Sequence, residues 1–125
     1  MWTVLIALTM AGLPLPFHEL VILPETFTIT ELKAIATSSA AKYGLTKKQT
    51  KRMLATIECE SGWVATSTGP LGERGLVQIY PKAHPKITTE QMIDPYWSLD
   101  WMAHHFMAGH TNMWVCYTML YGAKM

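Results

Sequence analysis

Two capping-box sequences, each followed by apolar residues at helical spacing and then by a glycine, constrain the fold more than any other feature of this chain. In a capping box, a Ser or Thr and a Glu or Gln three residues later bond reciprocally with free N–H groups at a helix start. The two boxes are Thr28 with Glu31 and Thr46 with Gln49. Glycines 44 and 62 then predict the helix ends, which gives helices over residues 28 to 43 and 46 to 61.

The second half of the chain carries further helix signals around a glycine-rich region. Asp94-Pro95 is typical of a cap followed by Pro at the first helical position, and Gly109 follows as a stop. Asn112 is a candidate cap for a last helix through Tyr121. Between these elements, glycines and prolines surround Leu76, Val77 and Ile79, which predicts turns and a short strand or extended piece. We therefore expect a mainly α, compact helical domain with a small strand or loop element.

Length and composition bound the organisation of the chain. Its 125 residues are enough for one domain with a real core, and 50% hydrophobic with 15% charged residues is a globular composition. A net charge of +1 provides no field to gather nucleic acid, so we expect no nucleic-acid partner. We predict a domain over residues 28 to 125, acting as a monomer, without a stable membrane span.

Residues 1 to 27 form an apolar N-terminal segment followed by a proline-containing linker. The apolar stretch is shorter than the ~20 residues that a transmembrane helix needs. Two interpretations stay open for it. It is either a signal or export segment, although the first basic residue is Lys33, or a hydrophobic arm packed on the domain.

Glu60 is the candidate catalytic residue, because helical spacing places it close to the apolar stripe of the second predicted helix. On a helical wheel it lies within about 20° of Met53 and about 60° of Ile57, so its carboxylate is expected to point inward. Burial and the negative end of the helix dipole both raise a carboxyl pKa, and a protonated carboxyl is what a general acid needs. The alternative is a surface glutamate on a helix that ends one turn later.

Four motifs follow one another around and after Glu60. They are Glu-Ser-Gly-Trp at 60 to 63, Gly-x-x-Gly-Leu-x-Gln-Ile-x-Pro at 72 to 81, Asp94-Pro95 and Tyr117. Over about residues 46 to 122, these motifs resemble those of lytic transglycosylases of the soluble-transglycosylase type and of the related goose-type lysozymes. The chain departs from the family where Thr118-Met119-Leu120 follows the tyrosine in place of Asn-Ala-Gly, and where an Asn expected after Trp97 is missing.

The resemblance implies a lysozyme-like fold, peptidoglycan as the partner and no cofactor. Glu60 would act as catalytic acid and then base, and Tyr117 would steady the transition state. Ser61, Gln78, Ile79 and Tyr80 would bind the glycan, with Tyr80 the first candidate among the aromatic residues for stacking on a sugar. The expected reaction forms a 1,6-anhydro product from the bond between N-acetylmuramic acid and N-acetylglucosamine. It would take place in the cell envelope, outside the cell, or on a virion or during lysis.

Two other functions stay open at the sequence level. A goose-type lysozyme would hydrolyse the same bond with water. A catalytically weak wall-binding or assembly module would keep the fold without turnover, as the departure at Thr118 allows. The basic residues Lys47, Lys48, Lys51 and Arg52 form either a solvated face or a surface for anionic wall polymers.

The cysteines and histidines carry weaker signals. Cys59 and Cys116 could form a disulfide, but two buried thiols serve equally well as small core residues, and we favour the thiols. His104, His105 and His110 lack the Cys or carboxylate spacing of a recognisable metal site, so we expect no metal.

Overall fold

Helices make up most of the structure, a computed structural model that describes residues 2 to 5, 21 to 24 and 26 to 122. The elements in chain order are β1 Trp2–Leu5, β2 Val21–Pro24, α1 Ile29–Lys42, α2 Lys47–Ser61, α3 Thr89–Ile93, α4 Pro95–Met107, a 3₁₀ helix at Thr111–Met113, and α5 Val115–Tyr121. The prediction of a mainly α domain is confirmed.

Side-chain caps explain where the first helices begin. The Thr28 hydroxyl accepts a hydrogen bond from the Glu31 amide at 3.1 Å, and the Glu31 carboxylate accepts one from the Thr28 amide at 3.0 Å. Thr46 and Gln49 make the same reciprocal pair at the start of α2. Both predicted capping boxes are therefore confirmed, because this signal acts over only a few residues.

The short helix α3 and helix α4 follow one another at Asp94. Asp94 accepts a hydrogen bond from the Tyr96 amide at 2.9 Å, and Pro95 occupies the first turn of α4, as the sequence predicts. A third capping box, Thr88 with Gln91, starts α3 and was missed in the sequence analysis. The two helices thus meet at a single residue that ends one and caps the other.

Helix α1 packs along α4, and this pair with α2 builds the centre of the core. Small residues Ala36 and Ala40 on α1 allow the close approach, and both are fully buried. The other buried apolar side chains are Leu32, Met53, Ile57, Trp63, Leu76, Val77, Ile79, Met92, Leu99, Met102, Ala103, Phe106 and Trp114. Residues from the glycine-rich loop therefore belong to the same core as the helices.

The last helix begins later than the sequence predicts. Residues 111 to 113 form a 3₁₀ turn, and α5 starts at Val115 after Trp114, whose backbone is extended and which makes no side-chain cap. Asn112 is therefore not the cap, and that prediction is wrong. The reason is tertiary, because Trp114 is buried and its indole N–H donates to the Val77 carbonyl at 2.8 Å.

The predicted strand near Leu76 is also absent from the described region 63 to 80. Only isolated bridges join Thr68 to Arg74 and Arg74 to Ile79. Gly75 at φ +85° and Gln78 at φ +53° turn the chain back on itself, so that Arg74 and Ile79 exchange both backbone hydrogen bonds. Left-handed residues at these two positions prevent an extended strand.

The N-terminal strands β1 and β2 pair antiparallel, with Trp2 opposite Pro24 and Leu5 opposite Val21. The prediction of a linker before the helical domain falls mostly on residues outside the described ranges and stays a prediction. The prediction of a signal or export segment falls largely on residues outside the described ranges. None of the helices in the described ranges has the length and apolar character needed to cross a membrane.

Candidate active site

Glu60 lies in the last turn of α2, where the helix ends as the sequence predicts. Gly62 adopts a left-handed conformation at φ +61°, and its amide donates to the Glu58 carbonyl at 2.9 Å. Glu58 is exposed, whereas Glu60 is half-buried. The expected inward placement of Glu60 is therefore found in the structure.

Three effects shift the pKa of the Glu60 carboxyl group. Burial raises its pKa above the usual range, the hydrogen bond from the Cys116 amide opposes this, and the negative charge of Glu73 raises the pKa further. The amide of Cys116 donates to Glu60 Oε2 at 3.2 Å. Within the described ranges no hydrogen bond reaches Oε1. The carboxyl group is thus oriented through one oxygen and free to meet a ligand with the other.

A disulfide joins the two helices that meet at this carboxyl group. Cys59 on α2 and Cys116 on α5 are bonded, with their Cα atoms 5.9 Å apart. The prediction that the two cysteines are free thiols is therefore wrong. The sequence spacing of the two cysteines does not determine the distance between their Cα atoms. Helix α5 packs on α2, and this packing places the two Cα atoms within the range for a disulfide.

Ser61 completes the end of α2 by means of its hydroxyl group. The hydroxyl donates to the Ile57 carbonyl and accepts from the Trp63 amide, both at 3.2 Å. Trp63, which follows in a left-handed conformation, is buried in the core. Ser61 therefore supports the turn beside Glu60, and its predicted contact with a glycan stays a prediction.

The glycine-rich loop brings the Glu73 carboxylate close enough to Glu60 for its charge to act on it. Gln78 donates through Nε2 to the Gly75 carbonyl at 2.8 Å and to the Ser67 carbonyl at 3.2 Å. A β-carbon at Gly69 would lie 2.6 Å from Gln78 Oε1 and 2.9 Å from Glu73 Oε1. Both side chains therefore lie against Gly69, and a larger residue there would require them to shift. No local signal in the sequence indicates that the charge of Glu73 acts on Glu60.

Gln78, Ile79 and Tyr80 line one cavity of about 210 Å³, as the predicted glycan-binding residues would. Ile79 is only 1% exposed, so most of its side chain belongs to the core. The aromatic residues Trp101 and Trp114 also line this cavity. The remaining lining residues are Ala83, His84 and Met113. The structure thus brings these three predicted residues together at a concave, partly aromatic surface.

Tyr117 lies at a second cavity, of about 350 Å³. Its hydroxyl accepts a hydrogen bond from Arg52 at 3.1 Å, and Arg52 is about two turns before Glu60 on α2. The residues that line this cavity are Gln49, Arg52, Phe106, Gly109, Thr111, Tyr117, Tyr121 and Gly122. The structure gives the Tyr117 hydroxyl a cationic partner that the sequence did not suggest, and its role in a transition state stays a prediction.

The histidines pack with aromatic residues near the 210 Å³ cavity. His105 and His110 share a hydrogen bond between their Nδ1 atoms at 2.9 Å, and Trp101 lies against the His105 ring. The described part of the chain holds no group of three or more His, Cys, Asp or Glu side chains placed to bind a metal ion.

The chain was compared with known proteins at three levels. Protein-family models, curated proteins and solved structures each gave no match.

Proposed function

We propose that this protein is a peptidoglycan lytic transglycosylase with a lysozyme-like helical domain. It cleaves the β-1,4 bond between N-acetylmuramic acid and N-acetylglucosamine and leaves a 1,6-anhydro end. The observation that carries the proposal is the Glu60 carboxyl group, half-buried, with a raised pKa and one free oxygen. A carboxyl group with a raised pKa keeps its proton to higher pH than an exposed one, which is the state that a general acid needs.

The proposed reaction uses Glu60 twice. The protonated carboxyl gives its proton to the glycosidic oxygen as the bond from that oxygen to C1 of the muramic acid breaks. The 6-hydroxyl oxygen of the same sugar then bonds to C1, and its proton returns to the Glu60 carboxylate. The enzyme ends in its starting state, and no cofactor takes part.

The hydrogen bond from Cys116 prepares Glu60 for both steps. It stabilises the carboxylate formed after proton donation, while burial stabilises the protonated form before it. In the proposal, Ser61, Gln78, Ile79 and Tyr80 contact the glycan, and Tyr117 steadies the developing positive charge. The cavity shared by Gln78, Ile79 and Tyr80 supports their part in this assignment.

The charge of Glu73 favours hydrolysis as a second candidate function. Two-carboxylate glycosidases use one group as acid and the other as base or nucleophile. Glu73 is close enough to Glu60 for its charge to raise the Glu60 pKa, and its Oε1 accepts a hydrogen bond from the Leu71 amide at 2.7 Å. In this alternative, Glu73 would position a water molecule for attack at C1.

The products released from purified peptidoglycan test the two candidates. Mass spectrometry of soluble fragments would show products one water lighter than ordinary reducing ends if the sugar closes its own ring. Ordinary reducing ends that also disappear in Glu73→Gln would identify a hydrolase instead. We expect Glu60→Gln to lose activity by about 10²- to 10⁴-fold, which is the range for a general acid.

Glu58→Gln is the matched control for Glu60→Gln. It makes the same chemical change two residues earlier on α2, at an exposed position. Equal loss of activity in both variants would contradict the assignment of Glu60. Absence of released fragments with every protein, together with retained glycan binding, would identify a binding module and would overturn both catalytic functions.

The proposed place of action is the cell envelope, the outside of the cell, or a virion. From each of these places, or after release at lysis, the protein would reach peptidoglycan, and it would act on it as a monomer.

A further inference from the structure

The cavity of about 350 Å³ beside Tyr117 is lined by a cationic side chain, Arg52, that has no part in the proposed reaction. Arg52, on the second turn of α2, lines it together with Gln49, Thr111 and Tyr121. In the sequence, Arg52 belongs to a basic stretch with Lys47, Lys48 and Lys51. In the structure Arg52 is partly buried, whereas the neighbouring Lys48 and Lys51 are both exposed.

Aromatic contacts hold the Arg52 guanidinium group in place. It lies 4.4 Å from the centre of the Tyr121 ring and donates through one nitrogen to the Tyr117 hydroxyl at 3.1 Å. Stacking and a hydrogen bond together restrict a side chain that is otherwise flexible. The guanidinium group is therefore ordered before any ligand arrives.

Most of the hydrogen-bonding capacity of Arg52 is unused among the residues that the structure describes. A guanidinium group has five N–H donors, and the hydrogen bond to Tyr117 occupies one of them. Within residues 26 to 122, no carboxylate forms an ion pair with Arg52. An ordered cation with free donors in a concave site is suited to a planar anion, because the guanidinium fork matches a carboxylate with two parallel hydrogen bonds.

We propose that this cavity binds the carboxylate of a peptide stem carried by the glycan substrate. The inference rests on the proposed function, because peptides are attached to the muramic acid residues of peptidoglycan. Arg52 binds the carboxylate, and the hydroxyl-bearing residues Thr111 and Tyr117 also line the cavity. The rings of Phe106 and Tyr121 provide apolar surface for small side chains of the peptide.

The position of the cavity relative to Glu60 fits the length of such a peptide. Arg52 and Glu60 lie on the same helix with a rise of about 12 Å between them. A peptide of three to five residues spans about 10 to 17 Å when extended. Cys116, which contacts Glu60, and Tyr117, which contacts Arg52, are consecutive on α5. A glycan strand bound at the Glu60 carboxyl group could therefore place its attached peptide in the cavity.

A titration with a short peptide tests the cavity without any cleavage. The probe is N-acetyl-lysyl-alanyl-alanine with a free carboxylate, compared with its C-terminal amide, by isothermal calorimetry. We expect the free acid to bind wild type, and to bind Arg52→Gln at least about ten-fold more weakly, because the charged hydrogen bonds are lost. Arg52→Lys should lie between them, because it keeps the charge but not the planar fork.

Lys51→Gln is the matched control, since it removes the adjacent positive charge at an exposed position outside the cavity. It should bind the free acid as wild type does. Equal binding of the acid and the amide, equal weakening in Lys51→Gln and Arg52→Gln, or displacement of the peptide by inorganic phosphate at the same concentration would overturn the inference. Circular dichroism confirms that each variant is folded.

Kinetics with two substrates then connect the cavity to the glycan. Strands that carry peptides and strands stripped of peptides by an amidase are compared in wild type and Arg52→Gln. We expect Arg52→Gln to raise KM by about ten-fold for peptide-bearing strands and to leave KM for stripped strands unchanged. Equal effects on both substrates would overturn the inference. Failure of wild type to cleave either substrate would refute the proposed function. The peptide titration would still test whether the cavity binds a carboxylate, because it measures binding without cleavage.

Discussion

Cys116 donates its backbone amide hydrogen to Glu60 Oε2 at 3.2 Å, and its sulfur is bonded to the residue that precedes Glu60. The start of α5 is therefore fixed to the last turn of α2 by a covalent bond and a hydrogen bond at adjacent positions. The amide cannot move away from the carboxyl group without moving the disulfide. The orientation of the candidate catalytic group thus depends on a cross-link that lies outside the catalytic motif.

Removal of this disulfide should reduce stability strongly. The bond joins residues 57 positions apart, and the loop-entropy relation for a loop of this length gives about 4 kcal/mol. We expect the Cys59→Ser, Cys116→Ser double variant to unfold at a lower urea concentration than wild type by a corresponding amount. An unchanged unfolding midpoint for wild type with and without reductant would show that the cross-link does not stabilise the protein.

Glu60→Gln should stabilise the fold at neutral pH. The folded-state pKa of Glu60 is raised, so its contribution to stability is complete below the unfolded-state value of about 4.3 and is lost as pH rises through the folded-state value. The amide cannot ionise, so the variant avoids this loss. Because Glu60 is half exposed, we expect a modest rise in Tm, on the order of 3 °C at pH 7 and near zero at pH 4.

Glu58→Gln provides the comparison for that measurement, because Glu58 is exposed on the same helix. Its Tm relative to wild type should stay nearly constant between pH 4 and pH 7. A parallel rise of both variants with pH would attribute the effect to net charge and not to the burial of Glu60.

Gly75→Ala should be much more destabilising than Gly72→Ala. Both glycines have φ +85°, but a β-carbon at Gly75 would overlap the Met92 carbonyl oxygen, whereas one at Gly72 would meet no atom within 4 Å. The left-handed backbone alone costs about 1 to 2 kcal/mol for a residue with a β-carbon. The overlap should add about 1 to 3 kcal/mol in Gly75→Ala. Urea unfolding of both variants measures the difference, and equal losses would show that α3 moves away freely.

Acidification should destabilise the region around His105. Burial lowers the pKa of His105, and the charges of His110, His104 and His84 lower it further. A lowered folded-state pKa means that stability is present above the unfolded-state value of about 6.5 and is lost as pH falls through the folded-state value. We therefore expect His105→Gln to lose less stability than wild type between pH 7 and pH 5, as measured by Tm.

His104→Gln is the control for the histidine prediction, because His104 is exposed on the adjacent position of α4. It should keep most of the acid sensitivity of wild type. Equal acid sensitivity in wild type and His105→Gln would assign the loss to other groups.

Local signals in the sequence predict most of the helices. The capping boxes at Thr28 and Thr46, the Asp94-Pro95 start and the glycine stops all act through hydrogen bonds within a few residues. Such signals do not require knowledge of the fold. The inward placement of Glu60 also follows from local geometry, because helical periodicity fixes its direction relative to Met53 and Ile57.

Errors in the sequence analysis fall where distant residues meet. Asn112 has the chemistry of a cap, but burial of Trp114 against the Val77 carbonyl shifts the helix start. Val77 has strand propensity, but the left-handed conformations of Gly75 and Gln78 fold its segment into a turn packed in the core. In both places tertiary contacts outweigh local preference.

The sequence by itself determined the helical class, the helix boundaries near capping residues and the direction of Glu60, because short-range hydrogen bonds and periodicity decide these features. Only the tertiary structure decided the Cys59–Cys116 bond, the contact of the Cys116 amide with Glu60 and the pairing of Arg52 with Tyr117. These contacts join residues far apart in the chain, and their distances depend on how α5 packs on α2. No local pattern in the sequence encodes that distance.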